Sequence, residues 1–419
     1  MENVQVKEEE GEQNQQHPKR MKTQQEDPEE KKDRISSLPD GLIIDEILGR
    51  LRDTKHAIRT GALSKRWQHL WPLVPVLYFS YYNSCNKKHT HSDNFCLSVD
   101  KTLTQCRPHL KKLNKFHVST SYNGRFELQL LDKWIRFATD CDVQQLYLDF
   151  YNLDWEHQFV LKDDSFFINS HFTHLRLGGC IFDPTGPIIW NNLTHLSISN
   201  GKLDEHLIAN MLSGSPLLGT LRLEECYGYR RLDITSKSVK SLVLSGYSAY
   251  EHEVDDILGI IEINAPYILS LTIQDDLFLT KLSLLNVSSL TKAGLDYTKT
   301  GYYGRPKAPK REQEEMLKRL ILNLRHVKEL KIGIECHKAL YRLEAKGFNF
   351  PSNLKVQNVM SPVSSDSDSM DYSDNESSDD DSSDSDSMDY SDNESSDDDS
   401  SDSDSDSVES GDSEELVLD

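Results

Sequence analysis

A motif of the form L-x-x-L-x-L, with other aliphatics or Phe substituting, recurs nine times and constrains this chain more than any other feature. It falls at Leu113-Phe116-Val118, Val143-Leu146-Leu148, Phe172-Leu175-Leu177, Leu193-Leu196-Ile198, Leu218-Leu221-Leu223, Val239-Leu242-Leu244, Ile268-Leu271-Ile273, Leu290-Ala293-Leu295 and Val327-Leu330-Ile332. Between the middle residues the steps are 30, 29, 21, 25, 21, 29, 22 and 37. A unit this short cannot bury its apolar face alone and must stack on its neighbours. Each unit offers one strand whose alternate side chains point inward, so the stack is a solenoid of parallel strands, an α/β architecture. The longer steps have room for helices. Phe95, Val99 and Leu103 share one helical face, as do Leu131, Trp134, Ile135 and Ala138. Asp204 opens EHLIANML, which runs into Ser213-Gly214-Ser215-Pro216, and residues 312–325 form an amphipathic helix.

Ahead of the repeats, residues 34–71 predict three short helices with more apolar surface than so small a unit can hide. Leu38-Pro39 opens the first, with Ser37 available as a cap. Ile43, Ile47 and Leu51 fall on one face, widened by Leu42, Ile44 and Leu48. Asp53-Thr54 breaks this pattern before a short second helix. Leu63-Ser64-Lys65-Arg66-Trp67 begins the third, with Leu70-Trp71 one turn on.

On these residues the segment resembles an F-box, the docking module of SCF-type ubiquitin ligases. With the repeats, and with the aromatic strand Leu77-Tyr78-Phe79 directly behind it, residues 33–357 resemble the plant F-box/leucine-rich-repeat proteins. In such repeats a Cys three residues past the last aliphatic turns the chain inside the coil. Cys180 after Leu177 and Cys226 after Leu223 match that position, which makes them buried structure rather than redox or metal residues. The expected domains are a disordered segment at 1–32, an F-box at 33–79, an irregular leucine-rich-repeat solenoid at 80–357 and a disordered acidic tail at 358–419.

The net charge of −22 belongs to that tail. Residues 361–419 carry 24 Asp and Glu and no Lys or Arg, which leaves the rest at +2. Neither nucleic-acid binding by a basic face nor attraction to a membrane surface follows from a nearly neutral body. The tail duplicates itself: residues 364–381 recur unchanged at 382–399. Ser373, Ser377, Ser391 and Ser395 each have an acidic residue three positions on, which suits an acidophilic kinase. Lys19-Arg20 and Lys31-Lys32-Asp33-Arg34 have the layout of a bipartite nuclear import signal, and residues 299–311 read as an exposed basic loop. No apolar run suggests a signal peptide or a membrane span, and the seven cysteines contain no CxxC pair, so a reducing compartment, nucleus or cytoplasm, is expected.

No spacing suits catalysis: GxGxxG, GxxxxGK[ST], GxSxG and HExxH are absent. His174 and His195 recur as T-H-L in neighbouring repeats and read as surface ladder positions, not metal ligands. The chain is expected to be non-catalytic and to need no cofactor. The resemblance implies a substrate receptor whose F-box docks a Skp-type adaptor and, through it, a cullin. Leu38, Pro39, Leu42, Ile43, Ile47, Leu51, Leu63 and Trp67 are the candidate adaptor contacts. An unidentified protein substrate would lie on the concave strand face, where Tyr147, Asp149, Arg176, Arg222 and Glu224 alternate with buried residues. That face reads as mixed in charge and poor in aromatics. A different reading also stands: a ligase-independent nuclear protein that binds basic partners such as histones through the acidic tail.

Overall fold

The computed structural model describes residues 35, 37–81, 90–122, 125–152, 159–247, 260–279, 281–298, 310–352 and 354–358. The expected features at 1–34, at 299–309 and in the tail beyond 358 lie outside these residues.

Every repeat motif becomes a strand. Eleven strands form one parallel sheet, from Val76–Ser80 through Lys115–Tyr122, Gln145–Asn152, His174–Gly178, His195–Ser199, Thr220–Glu224, Ser241–Tyr247, Ser270–Leu277, Lys292–Thr298 and Glu329–Ile332 to Lys355–Asn358. Their registers align one apolar row, Leu77, Phe116, Leu146, Leu175, Leu196, Leu221, Leu242, Leu271, Ala293 and Leu330, all buried. A second buried row, Phe79 to Ile332, runs two residues further along each strand. The intervening side chains face the other way and form a polar ladder across the sheet.

How each coil returns accounts for part of the irregular period. Three strands, Arg231–Asp233, Ile260–Asn264 and Lys281–Leu285, form a second parallel sheet, and Phe159–Leu161 pairs with Cys180–Phe182. The steps of 21, 21 and 22 all return through one of these strands. Helices Arg125–Asp140, Glu205–Ser213 and Lys310–Asn323 occupy steps of 30, 25 and 37. A helix rises about 1.5 Å per residue and a strand about 3.3 Å, so a helical return needs more chain to cover the same distance. Cys180 and Cys226 are buried as expected, and their thiols donate to the Gly178 carbonyl at 3.4 Å and to the Ile198 and Glu224 carbonyls at 3.3 and 3.4 Å.

The N-terminal three-helix unit departs from expectation in two details. Its first helix, Asp40–Arg50, has Pro39 rather than Ser37 at the cap position, and its middle turn, Ile43–Ile47, is π-wound. Asp53 caps the second helix, Thr54–Thr60, by accepting from Lys55 N–H at 2.7 Å, and Ser64 caps the third, Lys65–Leu70. The strand Val76–Ser80, directly after the three helices, is the first strand of the solenoid sheet. Thr54 Oγ1 accepts from its Tyr78 N–H at 2.8 Å, which ties the second helix to that strand. One continuous core therefore runs from Ile43 to Leu354. No helix among the described residues is long and apolar enough to cross a membrane.

Candidate docking surfaces

Two surfaces collect the residues singled out by the sequence. The first lies on the three-helix unit. Its interior takes Ile43 (0% exposed), Leu48, Ala57, Trp67 (6%) and Leu70. Ile43 and Trp67 therefore hold the helices together, and their expected place among the adaptor contacts is corrected: neither side chain reaches the surface. Leu38, Ile47 and Leu51 are half-buried against the same core. Pro39 is exposed, Leu42 is 49% exposed and Leu63 is 70% exposed. Four of the fourteen exposed large apolar side chains among the described residues, Ile35, Leu42, Ile58 and Leu63, fall within this short segment. The Arg66 guanidinium donates to the Leu38 carbonyl and, from Nε at 2.8 Å, to Asp40 Oδ1. That clamp holds the start of the third helix, next to Leu63, against the entry to the first.

The second surface is the exposed ladder of the eleven-stranded sheet. Tyr147, Asp149, Arg176, Arg222 and Glu224 do come together. Arg176 lies 3.6 Å from Asp149 and 4.0 Å from Glu224, and Arg222 hydrogen-bonds Glu224. The registers explain the cluster: Arg176 and Arg222 flank Ser197, whose small side chain leaves the two guanidinium groups free to converge on one carboxylate. Burial pushes the Asp149 carboxyl above its ordinary range, Arg176 pulls it back, and Glu224 adds to the upward push.

The expectation of a face poor in aromatics is overturned. Tyr78, His117 and Tyr147 are register partners on the first three strands and stack as one ladder. Ring centroids lie 4.1 Å apart from Tyr78 to His117 and 5.9 Å from His117 to Tyr147. Lys115 Nζ sits 4.6 Å from the Tyr147 ring centre, a cation–π contact. Burial, with Lys115 and Arg176 nearby, lowers the His117 pKa to about 3, so its ring is neutral at physiological pH. The signal was present: Tyr78, His117 and Tyr147 each sit between two buried residues of a strand, the position that faces outward. Further along, His174 and His195 stack at 4.4 Å with planes 5° apart, and each Nδ1 meets the hydroxyl of the preceding Thr at 3.0 and 2.9 Å. Among the described residues no group of three His, Cys, Asp or Glu is arranged to hold a metal ion.

Comparison with known proteins agrees with this architecture. Residues 131–293 match the family model for the leucine-rich repeats of the FBD-associated F-box protein At5g56370. The chain is 31% identical to the F-box protein At5g03100 of Arabidopsis thaliana over 305 residues, 72% of this chain and 89% of that one. It is 31% identical to the F-box/LRR-repeat protein At5g02910 of the same plant, over 78% of this chain and 65% of the relative. It is 30% identical to F-box/LRR-repeat protein 25, also from Arabidopsis thaliana, over 58% of this chain and 86% of the relative. Against three further relatives it spans between 61% and 74% of their length. A clamped three-helix unit with apolar side chains left outside, fused to a parallel-strand solenoid in a chain that is 31% identical to a relative over 89% of that relative's length, identifies the chain as a member of the F-box/leucine-rich-repeat family.

Proposed function

We propose that this protein is a substrate-receptor subunit of an SCF-type ubiquitin ligase. Its F-box docks a Skp-type adaptor, and through it a cullin, while the exposed sheet ladder binds a protein substrate. The observation that carries the reading is the apolar surface at Pro39, Leu42 and Leu63. These side chains stay in water although the unit's own core is complete without them, as an interface requires. The role needs no catalytic group: holding substrate lysines near the ubiquitin-carrying enzyme raises their effective concentration. The aromatic and arginine content of the ladder at Tyr78, Tyr147, Arg176 and Arg222 suits a protein partner, since such residues dominate binding hot spots.

Co-expression of the full chain with a Skp-type adaptor, followed by size exclusion, tests the first half. A stable complex is expected from the wild type and none from Leu42→Asp with Leu63→Asp. Both side chains are exposed, so the variant should retain its circular dichroism spectrum. A complex that survives the double change, or a folded wild type that forms none, would refute the reading. The full chain expressed in plant cells with an epitope tag and imaged there would show whether it resides in nucleus or cytoplasm.

A further inference from the structure

A second feature of the exposed ladder lies away from the aromatic stack, on the strands Ser241–Tyr247, Ser270–Leu277 and Lys292–Thr298. There Val243, Thr272 and Gly294 are register partners, with Lys331 next in the row and Arg222 just before it. The short side chains lie between these long cations and leave a cleft of about 430 Å³, open on the sheet face. Asp275 and Asp296 line its rim at the C-terminal ends of the strands.

Gly294 is the informative residue. It sits inside a strand whose pairing with Ser270–Leu277 is regular throughout, so no bulge calls for glycine. Its backbone is not left-handed, and a Cβ there would meet only the Thr272 side chain, at 3.6 Å. Glycine within a strand costs about 0.5–1 kcal/mol relative to alanine. When neither conformation nor packing demands it, glycine marks a place where another chain approaches closely.

The charges indicate what approaches. Arg222 is bound to Glu224, and Lys292 pairs with Glu329 at 3.4 Å. Asp275 accepts from the Ser245 hydroxyl and from Gln274 Nε2 at 3.1 Å, while Asp296 accepts from Glu335 N–H at 3.3 Å. Neither carboxylate has a cationic partner among the described residues. The side chains lining the cleft balance in charge, but with Arg222 held by Glu224 just outside it and Lys292 by Glu329, Asp275 and Asp296 face Lys331 alone, one negative charge in excess. Burial pushes the Asp296 carboxyl upward, the Glu335 N–H pulls it back, and the charges of Glu335 and Asp275 add to the upward push; burial, then Asp275, Glu224 and Asp276, raise nearby Glu225.

We propose that an extended arginine- or lysine-bearing segment of the substrate docks across this cleft, its backbone passing over Gly294 and its cation meeting Asp275 and Asp296. This rests on the receptor reading above and adds the chemistry of what is received.

The test uses the full chain purified with its adaptor and two fluorescein-labelled synthetic peptides of equal length. One carries Arg at alternate positions among Ser and Val, and the other carries Glu in place of each Arg. Fluorescence anisotropy should show binding of the Arg peptide alone. Gly294→Leu, which fills the cleft, should weaken it about tenfold or more, and Asp275→Asn severalfold. Gly294→Ala should melt no lower than the wild type and serves as the folding control. Attraction of the Arg peptide to the acidic tail is the same in all variants and sets a constant background, so cleft binding is read as the part that Gly294→Leu and Asp275→Asn remove. Equal affinity for both peptides, no binding of either, or an affinity unchanged by Gly294→Leu would overturn the proposal. Adaptor binding is read on the same samples: its loss would sink the receptor reading, whereas an intact adaptor complex with no cleft effect sinks only this one.

Discussion

At the scale of single residues, the repeat turns on a left-handed position five residues on from the first residue of the strand, at or near the strand's C-terminal end. Gly179, Asn200, Glu225, Gly246 and Asp275 all have positive φ, between 49° and 73°, and occupy successive coils. Where glycine stands it is needed: a Cβ on Gly179 would collide with the Phe150 carbonyl, so Gly179→Ala is expected to cost more than about 2 kcal/mol in urea unfolding. Glu225 is the converse case. It bears the penalty of a side chain in left-handed geometry and is crowded by Asp275, Glu224 and Asp276. Glu225→Gly relieves both and should stabilise by about 0.5–1 kcal/mol after the extra chain entropy of glycine is subtracted. A lower urea midpoint would show that the Glu225 side chain does something this geometry does not reveal. His117 makes a pH prediction. Its pKa is about 3 when folded, against an ordinary value near 6.5. As pH falls, the unfolded chain takes up the proton first. Stability is therefore lost progressively between about pH 6.5 and 3, by at most about 1.4 kcal/mol per unit, and is unaffected above that window. His117→Phe keeps the stack and removes the proton, so urea midpoints at pH 7 and pH 5 should differ less in the variant. An identical pH dependence would mean that His117 is not held neutral.

At the scale of elements, the motif strands were legible because each places two buried residues at a fixed spacing, and a two-residue period needs no tertiary help to be seen. Helix Glu205–Ser213 was legible because its cap is local: Asp204 accepts from Leu207 N–H at 2.7 Å. Helix Ile334–Ala345 was not. It begins at Gly333 with no side-chain cap of its own, and Asp296 of a neighbouring strand receives its Glu335 N–H instead. The rear strands Phe159–Leu161 and Arg231–Asp233 are three residues long, too short for any period to declare itself. The last two long helices meet through Glu314, a nearly buried carboxylate that accepts from Arg342 Nε at 2.8 Å and from Lys346. Hydrogen bonds from these cations hold its pKa below the ordinary glutamate value. Its contribution is present above the unfolded pKa of about 4.3 and is lost as pH falls through the lower folded value. Glu314→Gln should cost about 2 kcal/mol at pH 7 and much less in acid. A loss of stability as large at acid pH as at pH 7 would rule out the charged contact as its source.

At the scale of the whole folded body, the three-helix unit and the solenoid share one core, and the Thr54–Tyr78 hydrogen bond lies at their seam. A single calorimetric transition is expected, and two separated transitions would show that the units fold independently. Thr54→Val removes the seam bond, leaves the Tyr78 N–H without that acceptor, and should speed hydrogen exchange at residues 76–80 while costing about 1 kcal/mol. Composition and period by themselves determined the class of fold, the number of motif strands and the outward-facing set that holds Arg176 and Arg222, because alternation along a strand is a local rule. Tertiary structure alone decided which apolar residues of the F-box are spare, since Ile43 and Leu42 are neighbours in sequence and part ways only when the other two helices arrive. It also decided that Tyr78, His117 and Tyr147 form one surface, because register between residues 39 and 30 positions apart is set by the packing of everything between them.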